Sequence, residues 1–186
     1  MKSPTHIRPR RIATFAVVAA SLLAVLGGCG GDDGTATTSE STVELPTGTL
    51  SKAQLVKTAD GLCTDATDRI MADAEPPEFG EDGPQTEEVA ASAEFWRVTA
   101  GEGQVLLDQL SQLQPPKSEQ KQWDEFLDLM ETGTVGYADS LLGPAEDGDP
   151  DGFYQAALDS QKTLVELAQA SQDLGLKVCG IRDVGS

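Results

Sequence analysis

An apolar segment of 15 residues, from residue 12 to residue 26, constrains this chain most, because it decides which part of the sequence folds as a domain. It follows a short cationic start, whose basic residues are Lys2, Arg8, Arg10 and Arg11. As a helix the segment extends about 22 Å, whereas a bilayer-spanning helix needs about 20 residues. The pattern therefore predicts a cleaved signal peptide over residues 1–28 rather than a retained transmembrane anchor.

The residues that end this segment add a second constraint. Leu26, Gly27 and Gly28 lead directly into Cys29, as in a bacterial lipobox. At such a site the thiol receives a diacylglycerol through a thioether, and the peptide is cut before the cysteine. We expect Cys29 to begin the mature protein and to anchor it at the extracytoplasmic face of the cell membrane. The alternative is an ordinary signal peptide with a thiol nearby.

Removal of the signal peptide makes the remaining chain strongly acidic. The whole sequence has 13 basic and 31 acidic residues, and loss of the four basic residues before Cys29 leaves nine against 31, a formal charge of −22. Nucleic acid is therefore excluded as a partner, because phosphate binding needs clustered Lys and Arg. An anionic membrane surface also repels the domain, so we expect the acyl chains on Cys29 to provide the membrane attachment.

The histidine and cysteine content limits the available chemistry. His6 is the only histidine and lies in the predicted signal peptide, which excludes histidine general bases and histidine metal sites. Cys63 and Cys179 remain once Cys29 is lipidated, and an even pair in an exported chain favours one disulfide over two free thiols. No nucleophile elbow, phosphate loop or Cys/His pattern is present, so we expect neither an enzyme nor a cofactor.

Residues 29–49 predict a flexible tether, because they are rich in Gly, Thr and Ser and contain acidic but no basic residues. The 20 residues from 30 to 49 have a root-mean-square reach of about 25 Å as a flexible coil. A folded domain is predicted over residues 50–180, followed by a short tail over residues 181–186.

Four helices are predicted in this domain, since apolar residues recur at spacings of three and four. Their approximate ranges are 51–74, 84–113, 118–141 and 149–174, separated by loops at 75–84, 115–116 and 143–148. No segment alternates like a strand. The predicted fold class is all-α, an antiparallel four-helix bundle after a cleaved signal peptide and a disordered tether.

Local signals place several helix ends. Ser51 and Gln54 have the spacing of a capping box at the start of the first helix. Ser118 is the predicted cap of the third helix. Asp149 followed by Pro150 predicts the cap and first residue of the fourth.

Glycines interrupt two of the predicted helices. In the second helix, Gly101 and Gly103 either admit a close neighbour or bend the helix. In the third, Gly133 and Gly136 lower the helix propensity most.

The segment from residue 147 to residue 152 has the most distinctive local pattern. Asp147, Asp149 and Asp151 alternate with glycine and proline as in the first half of a calcium loop. However, the twelfth position is Leu158 instead of a bidentate glutamate. We therefore interpret the segment as an acidic helix cap, favoured by the helix dipole, and keep calcium binding as the alternative.

Aromatic residues on the apolar stripes are interpreted as core, with a ligand pocket between the helices as the alternative. They are Trp96, Trp123, Phe126, Tyr137 and Phe153. Paired carboxylates elsewhere are interpreted as solvated helix faces.

Several scaffold motifs recur together in the mature chain: Ser51–Asp60 with Cys63, Leu113 with Pro115–Pro116, and Leu174–Leu176 ahead of Cys179–Gly180. Over most of residues 51–180 the chain resembles small exported lipoproteins common in high-GC actinobacteria. That family has no assigned activity, so the resemblance implies no catalytic residue. We predict a membrane-anchored binding or interaction module of the cell envelope whose partner is an envelope protein. The alternative is a carrier or sensor for calcium or a small apolar ligand.

Overall fold

The computed structural model describes residues 45–80 and 83–179. The predicted signal peptide, Cys29 and the C-terminal tail lie outside the described residues. Within the two described ranges the chain is helical and has no strand, only an isolated parallel bridge between Thr49 and Gln114. This confirms the predicted all-α class.

The described part of the chain contains six α-helices and one π-helical turn. They are α1 (Lys52–Asp73), α2 (Thr86–Ala91), α3 (Ala93–Ser111), α4 (Gln120–Met130), the π-turn (Glu131–Val135), α5 (Gly136–Asp147) and α6 (Pro150–Leu174). The longest of them, α1 and α6, match the first and fourth predicted helices.

Capping determines where α1 and α6 begin. The Gln54 amide donates to Ser51 Oγ at 3.3 Å, and the Ser51 amide donates to Gln54 Oε1 at 3.0 Å. Both halves of the predicted capping box are therefore present. At α6, Asp149 Oδ1 accepts a hydrogen bond from the Gly152 amide at 3.1 Å and Pro150 is the first helical residue, as predicted.

The second predicted helix is interrupted at Ser92, which separates α2 from α3. Ser92 is buried, and its hydroxyl donates to the Val89 carbonyl at 2.7 Å while it accepts from Trp96 Nε1 at 3.1 Å. A serine side chain that bonds a backbone carbonyl competes with the helical ladder. The apolar stripe continues across the interruption, which is why periodicity alone predicted one helix.

The third predicted helix contains the π-turn between α4 and α5. Gly133 is buried there, and a Cβ atom at this position would lie 3.2 Å from Leu167 Cδ2 on α6. Glycine thus allows the π-turn to approach α6 more closely than a side chain would permit.

Two predicted boundaries of this helix are wrong. Ser118 does not cap it, because α4 begins after Glu119 without a side-chain cap, and the Ser118 hydroxyl instead contacts the Glu119 carboxylate. The predicted turn at residues 143–148 is helical as far as Asp147, with Pro144 inside the helix. Burial of Ala145 holds this last turn, and the chain reverses only at Gly148, whose φ is 62°.

The helices enclose two separate apolar cores. Helix α3 packs against α1 and α5, and α6 packs against α4 and α5. The first core consists of Leu50, Leu55, Ala59, Leu62, Cys63, Ala66, Leu106, Leu110, Leu113, Trp123, Phe126, Met130, Leu167, Leu174, Leu176 and Cys179. The second core consists of Val89, Leu141, Ala145 and Phe153, bordered by Ala93, Trp96, Tyr137, Ala156 and Ala157.

Candidate functional site

The segment after α6 returns to α1 and is fixed there by two kinds of bond. Cys63 and Cys179 form the predicted disulfide, with their Cα atoms 5.3 Å apart. Asp60 Oδ1 accepts hydrogen bonds from the amides of Lys177 and Val178, both at 2.9 Å. We call residues 176–179 the C-terminal strap.

The role of Asp60 was not predicted from the sequence. The side chain is half-buried because the strap lies beside it. The sequence feature that could have indicated this role is the spacing of three residues between Asp60 and Cys63, which places both side chains on the same face of α1. A segment tied to Cys63 passes within reach of the preceding helical turn.

The segment before α1 joins the domain at the turn between α3 and α4. The Leu50 amide donates to the Gln114 carbonyl at 2.8 Å, and Leu50 is buried in the first core. Leu45 is partly buried against the same core. Among the described residues, contact with the helical domain is therefore already present at Leu45, five residues before the predicted start of the domain.

An ion pair lies beside this junction. Lys52 Nζ is 2.8 Å from Glu119 Oε2, and the Glu119 side chain is only 13% exposed. The hydrogen bond from Lys52 lowers the pKa of Glu119 below its ordinary value, with a further contribution from the charge of Lys52.

The candidate calcium residues are not brought together. Asp147 ends α5, Asp149 caps α6 and Asp151 lies in the first turn of α6. Across residues 45–80 and 83–179, no three Asp, Glu, His or Cys side chains are grouped closely enough to share a metal ion. The Asp149 carboxylate is used to bind the amide of its own helix.

The predicted core aromatics are divided between the two cores. Trp123 and Phe126 are fully buried in the first core, with ring centroids 5.3 Å apart. In the second core, Trp96 lies 5.7 Å from Tyr137 and 6.0 Å from Phe153. Burial raises the pKa of Tyr137 above its ordinary value. These rings pack against each other, so the interpretation as core is the one that the geometry favours.

A groove with a volume of about 490 Å³ lies between α4 and α6. We call it the acidic groove. Its walls carry the carboxylates of Glu125, Asp128, Glu166 and Asp173, and apolar atoms come from Leu129 and Ala170. Lys162 Nζ lies 3.3 Å from Glu166 Oε1, on a side chain that is 86% exposed. Sequence periodicity did not reveal this groove, because its residues lie on two helices that are distant along the chain.

Another depression, of about 180 Å³, lies beside the disulfide and is lined by residues of α1, α3, α4, α6, the π-turn and the strap. Charged side chains are absent from its described lining. The acidic groove and this apolar cavity therefore differ in the chemistry of their linings.

Comparisons with protein-family models, curated protein sequences and solved structures give no match. None of the helices described here is long and apolar enough to cross a membrane.

Proposed function

We propose that this protein is an extracytoplasmic lipoprotein that acts as a binding module of the cell envelope. In this proposal residues 1–28 are removed, a lipid on Cys29 anchors the chain, and the tether carries the helical domain. The lipobox Leu26-Gly27-Gly28-Cys29 supports the anchor. The bond between Cys63 and Cys179 supports export, because disulfides persist in oxidising compartments.

We further propose that the helical domain is an antiparallel four-helix bundle, in which α2 with α3, and α4 with α5, each act as one arm. Two contacts support alternating directions of the arms. The Leu50 amide, just before α1, donates to the Gln114 carbonyl, just after α3, so the first and second arms run in opposite directions. The Lys52–Glu119 pair joins the start of α1 to the start of the third arm, so the first and third arms run in the same direction. Short connections between successive arms are typical of such bundles.

The acidic groove is the observation that carries the binding function. It combines four carboxylates with apolar atoms at the contact between two helices. A partner segment with basic residues along one face and apolar residues along another is complementary to this arrangement. We therefore propose a basic segment of an envelope protein as the partner. The acyl chains determine where the domain is displayed, and the tether determines its reach.

Charge-neutral substitutions in the groove test this binding function. Glu125→Gln with Asp128→Asn removes two groove charges, whereas Asp68→Asn with Asp73→Asn removes two charges from the exposed face of α1. We expect the unmodified protein and the control double variant to capture a partner from native membranes. The groove double variant should not capture that partner. Capture by the unmodified protein should also weaken as salt rises from about 0.1 to 0.5 M, because the Debye length shrinks. Equal capture by the groove double variant and the control double variant would contradict binding at the acidic groove.

Substitution of the lipobox cysteine tests the anchor separately. Cys29→Ala is expected to abolish acyl labelling and to release the protein to the medium or leave it unprocessed. A processed, membrane-bound Cys29→Ala protein would contradict lipid anchoring and leave the groove proposal intact.

The alternative function, a calcium-binding carrier or sensor, has less structural support than partner binding at the acidic groove. Asp149 is already committed to the Gly152 amide, and calcium needs six to eight oxygen ligands. The expected result is a melting temperature that does not change with millimolar calcium or chelator. A calcium-dependent rise that Asp147→Asn removes would restore this alternative.

A further inference from the structure

The cavity beside the disulfide differs from the acidic groove in its chemistry. Its walls are the apolar side chains of Ala66, Ile70, Leu106, Met130 and Leu167, together with both cysteines of the disulfide. Burying a charge among such groups without a partner is strongly unfavourable. The lining therefore selects against charged ligands.

Two threonine hydroxyls are the polar side-chain groups of this lining. Thr67 Oγ1 donates to the Cys63 carbonyl at 2.8 Å. Thr134 Oγ1 lies 3.5 Å from Met130 Sδ, which accepts its hydrogen bond. Each hydroxyl has a single proton, which it already donates within the protein. Its oxygen can therefore still accept a hydrogen bond from a ligand at the edge of the apolar cavity.

Backbone features form the boundary of this space on two sides. On one side the π-turn approaches α3 at Gly103, where a Cβ atom would lie 3.4 Å from Val135 Cγ2 and 3.6 Å from Thr134 Cγ2. On the other side the strap contributes Val178 and Cys179 as a wall held by the disulfide. Because both boundaries are fixed, the cavity is formed before any ligand arrives, which reduces the entropic cost of binding.

The cavity also has an opening. Thr67 is exposed, and Ile70, Thr134 and Val178 are half-buried, whereas Leu106 and Leu167 are buried. A small molecule thus reaches the interior past the outer turn of α1 and the edge of the strap.

From these features we propose that the cavity binds a small, uncharged, predominantly apolar molecule. An apolar cavity of about 150 Å³ holds benzene, so 180 Å³ suits a molecule of about six to eight carbon atoms. One hydroxyl on that molecule would have a threonine oxygen as acceptor at the rim. This site is distinct from the acidic groove and does not depend on the proposed protein partner.

Methyl NMR of the full chain in lipid nanodiscs tests the site with 1-hexanol as the probe. We expect saturable shift changes at the methyl groups of Ile70, Leu106, Leu167 and Val178. Sodium hexanoate at pH 7 has the same chain length with a charge, and we expect it to bind at least about tenfold more weakly. Equal binding of hexanoate, or shifts that do not saturate, would overturn the proposal.

Two glycines on α3 provide a matched pair of variants. Gly103→Ala places a methyl group among the lining residues, whereas Gly101→Ala has no neighbour within 4 Å of its new Cβ atom. Both changes raise helix propensity equally. Gly103→Ala should weaken 1-hexanol binding by about fourfold or more, and Gly101→Ala should leave it unchanged. Equal affinity in the two variants would overturn the assignment of the site.

A larger filling variant covers the case in which Gly103→Ala does not fold. Ala66→Leu extends a buried side chain into the same space, and Ala53→Leu makes the same change at an exposed position of α1. Loss of 1-hexanol binding is expected only for Ala66→Leu. Binding retained by a folded Ala66→Leu protein would contradict the proposal.

Discussion

The two cores of the helical domain are built differently. The first core contains 16 buried residues and is closed by the disulfide, by the hydrogen bonds to Asp60 and by the Lys52–Glu119 pair. The second core contains four buried residues. Around it, Arg97 pairs with Glu94 and Glu146 on side chains that are at least half exposed.

This difference indicates unequal local stability within one domain. Protection against opening follows buried apolar contacts and hydrogen bonds, both of which are concentrated in the first core. The junction with the tether and the apolar cavity also lie at the first core. We therefore expect the second core to open first.

Removal of the disulfide is expected to have the largest effect on this contrast. The double variant Cys63→Ser/Cys179→Ser opens a loop with a sequence separation of 116. By the chain-entropy estimate it should lose about 4 to 5 kcal/mol of unfolding free energy. Denaturant unfolding measures this loss, and hydrogen exchange should show the first core becoming as labile as the second. A loss below about 1 kcal/mol would contradict the role assigned to the disulfide.

One phenylalanine in each core permits a direct comparison. Phe126 is fully buried among first-core residues, and Phe126→Ala should cost about 3 to 5 kcal/mol with global loss of exchange protection. Phe153 is 5% exposed, and its ring lies 5.5 Å from that of the partly exposed Phe79. Phe153→Ala should fall at or below the low end of that range, with faster exchange confined to α2, α5 and the start of α6. A larger loss of unfolding free energy for Phe153→Ala than for Phe126→Ala would contradict the expected difference between the two cores.

The carboxylate of Asp60 gives an intermediate effect. Asp60→Ala leaves the amides of Lys177 and Val178 without their acceptor, and hydrogen bonds to charged groups contribute about 1.5 to 3 kcal/mol. Asp68→Ala, on the exposed face of the same helix, should change stability by less than about 0.5 kcal/mol. Chemical denaturation of both variants with the disulfide intact checks this difference. Equal losses would show that Asp60 does not fix the strap.

The ion pairs of the two regions should respond differently to acid, with the smallest effect of the series. The folded-state pKa of Glu119 is lowered below the ordinary value of 4.5 by the hydrogen bond from Lys52. This pair therefore contributes stability that is present above pH 4.5 and is lost as the pH falls through the lower folded-state pKa. Lys52→Met should reduce the acid dependence of melting in that window. Arg97→Met, beside the second core, should change the acid dependence of melting less. A larger change for Arg97→Met than for Lys52→Met would contradict the expected difference between the two regions.

Much of the fold could be predicted from sequence because periodicity and capping are local signals. The capping box at Ser51 and the Asp149–Pro150 start of α6 follow from side-chain chemistry within one turn. The disulfide could be predicted because exported chains favour disulfides, and only Cys63 and Cys179 remain once Cys29 is assigned to the lipid.

The remaining features depend on contacts that are distant in sequence. The helical course through Pro144 is decided by burial of Ala145 in the second core, which no single segment encodes. Asp60 could not be identified as the acceptor for the strap, because Lys177 and Val178 follow it by 117 and 118 positions along the chain. The acidic groove and the apolar cavity likewise arise only when separate helices are brought together.

The most direct test of the proposed lipoprotein is the intact mass of the protein extracted from membranes, combined with fragmentation of its N-terminus. The predicted result is a chain that begins at Cys29, carries a diacylglycerol on that sulfur and is two mass units lighter than the form with reduced Cys63 and Cys179. A mature chain that begins elsewhere, or an unmodified Cys29 in the membrane-bound protein, would contradict the proposal.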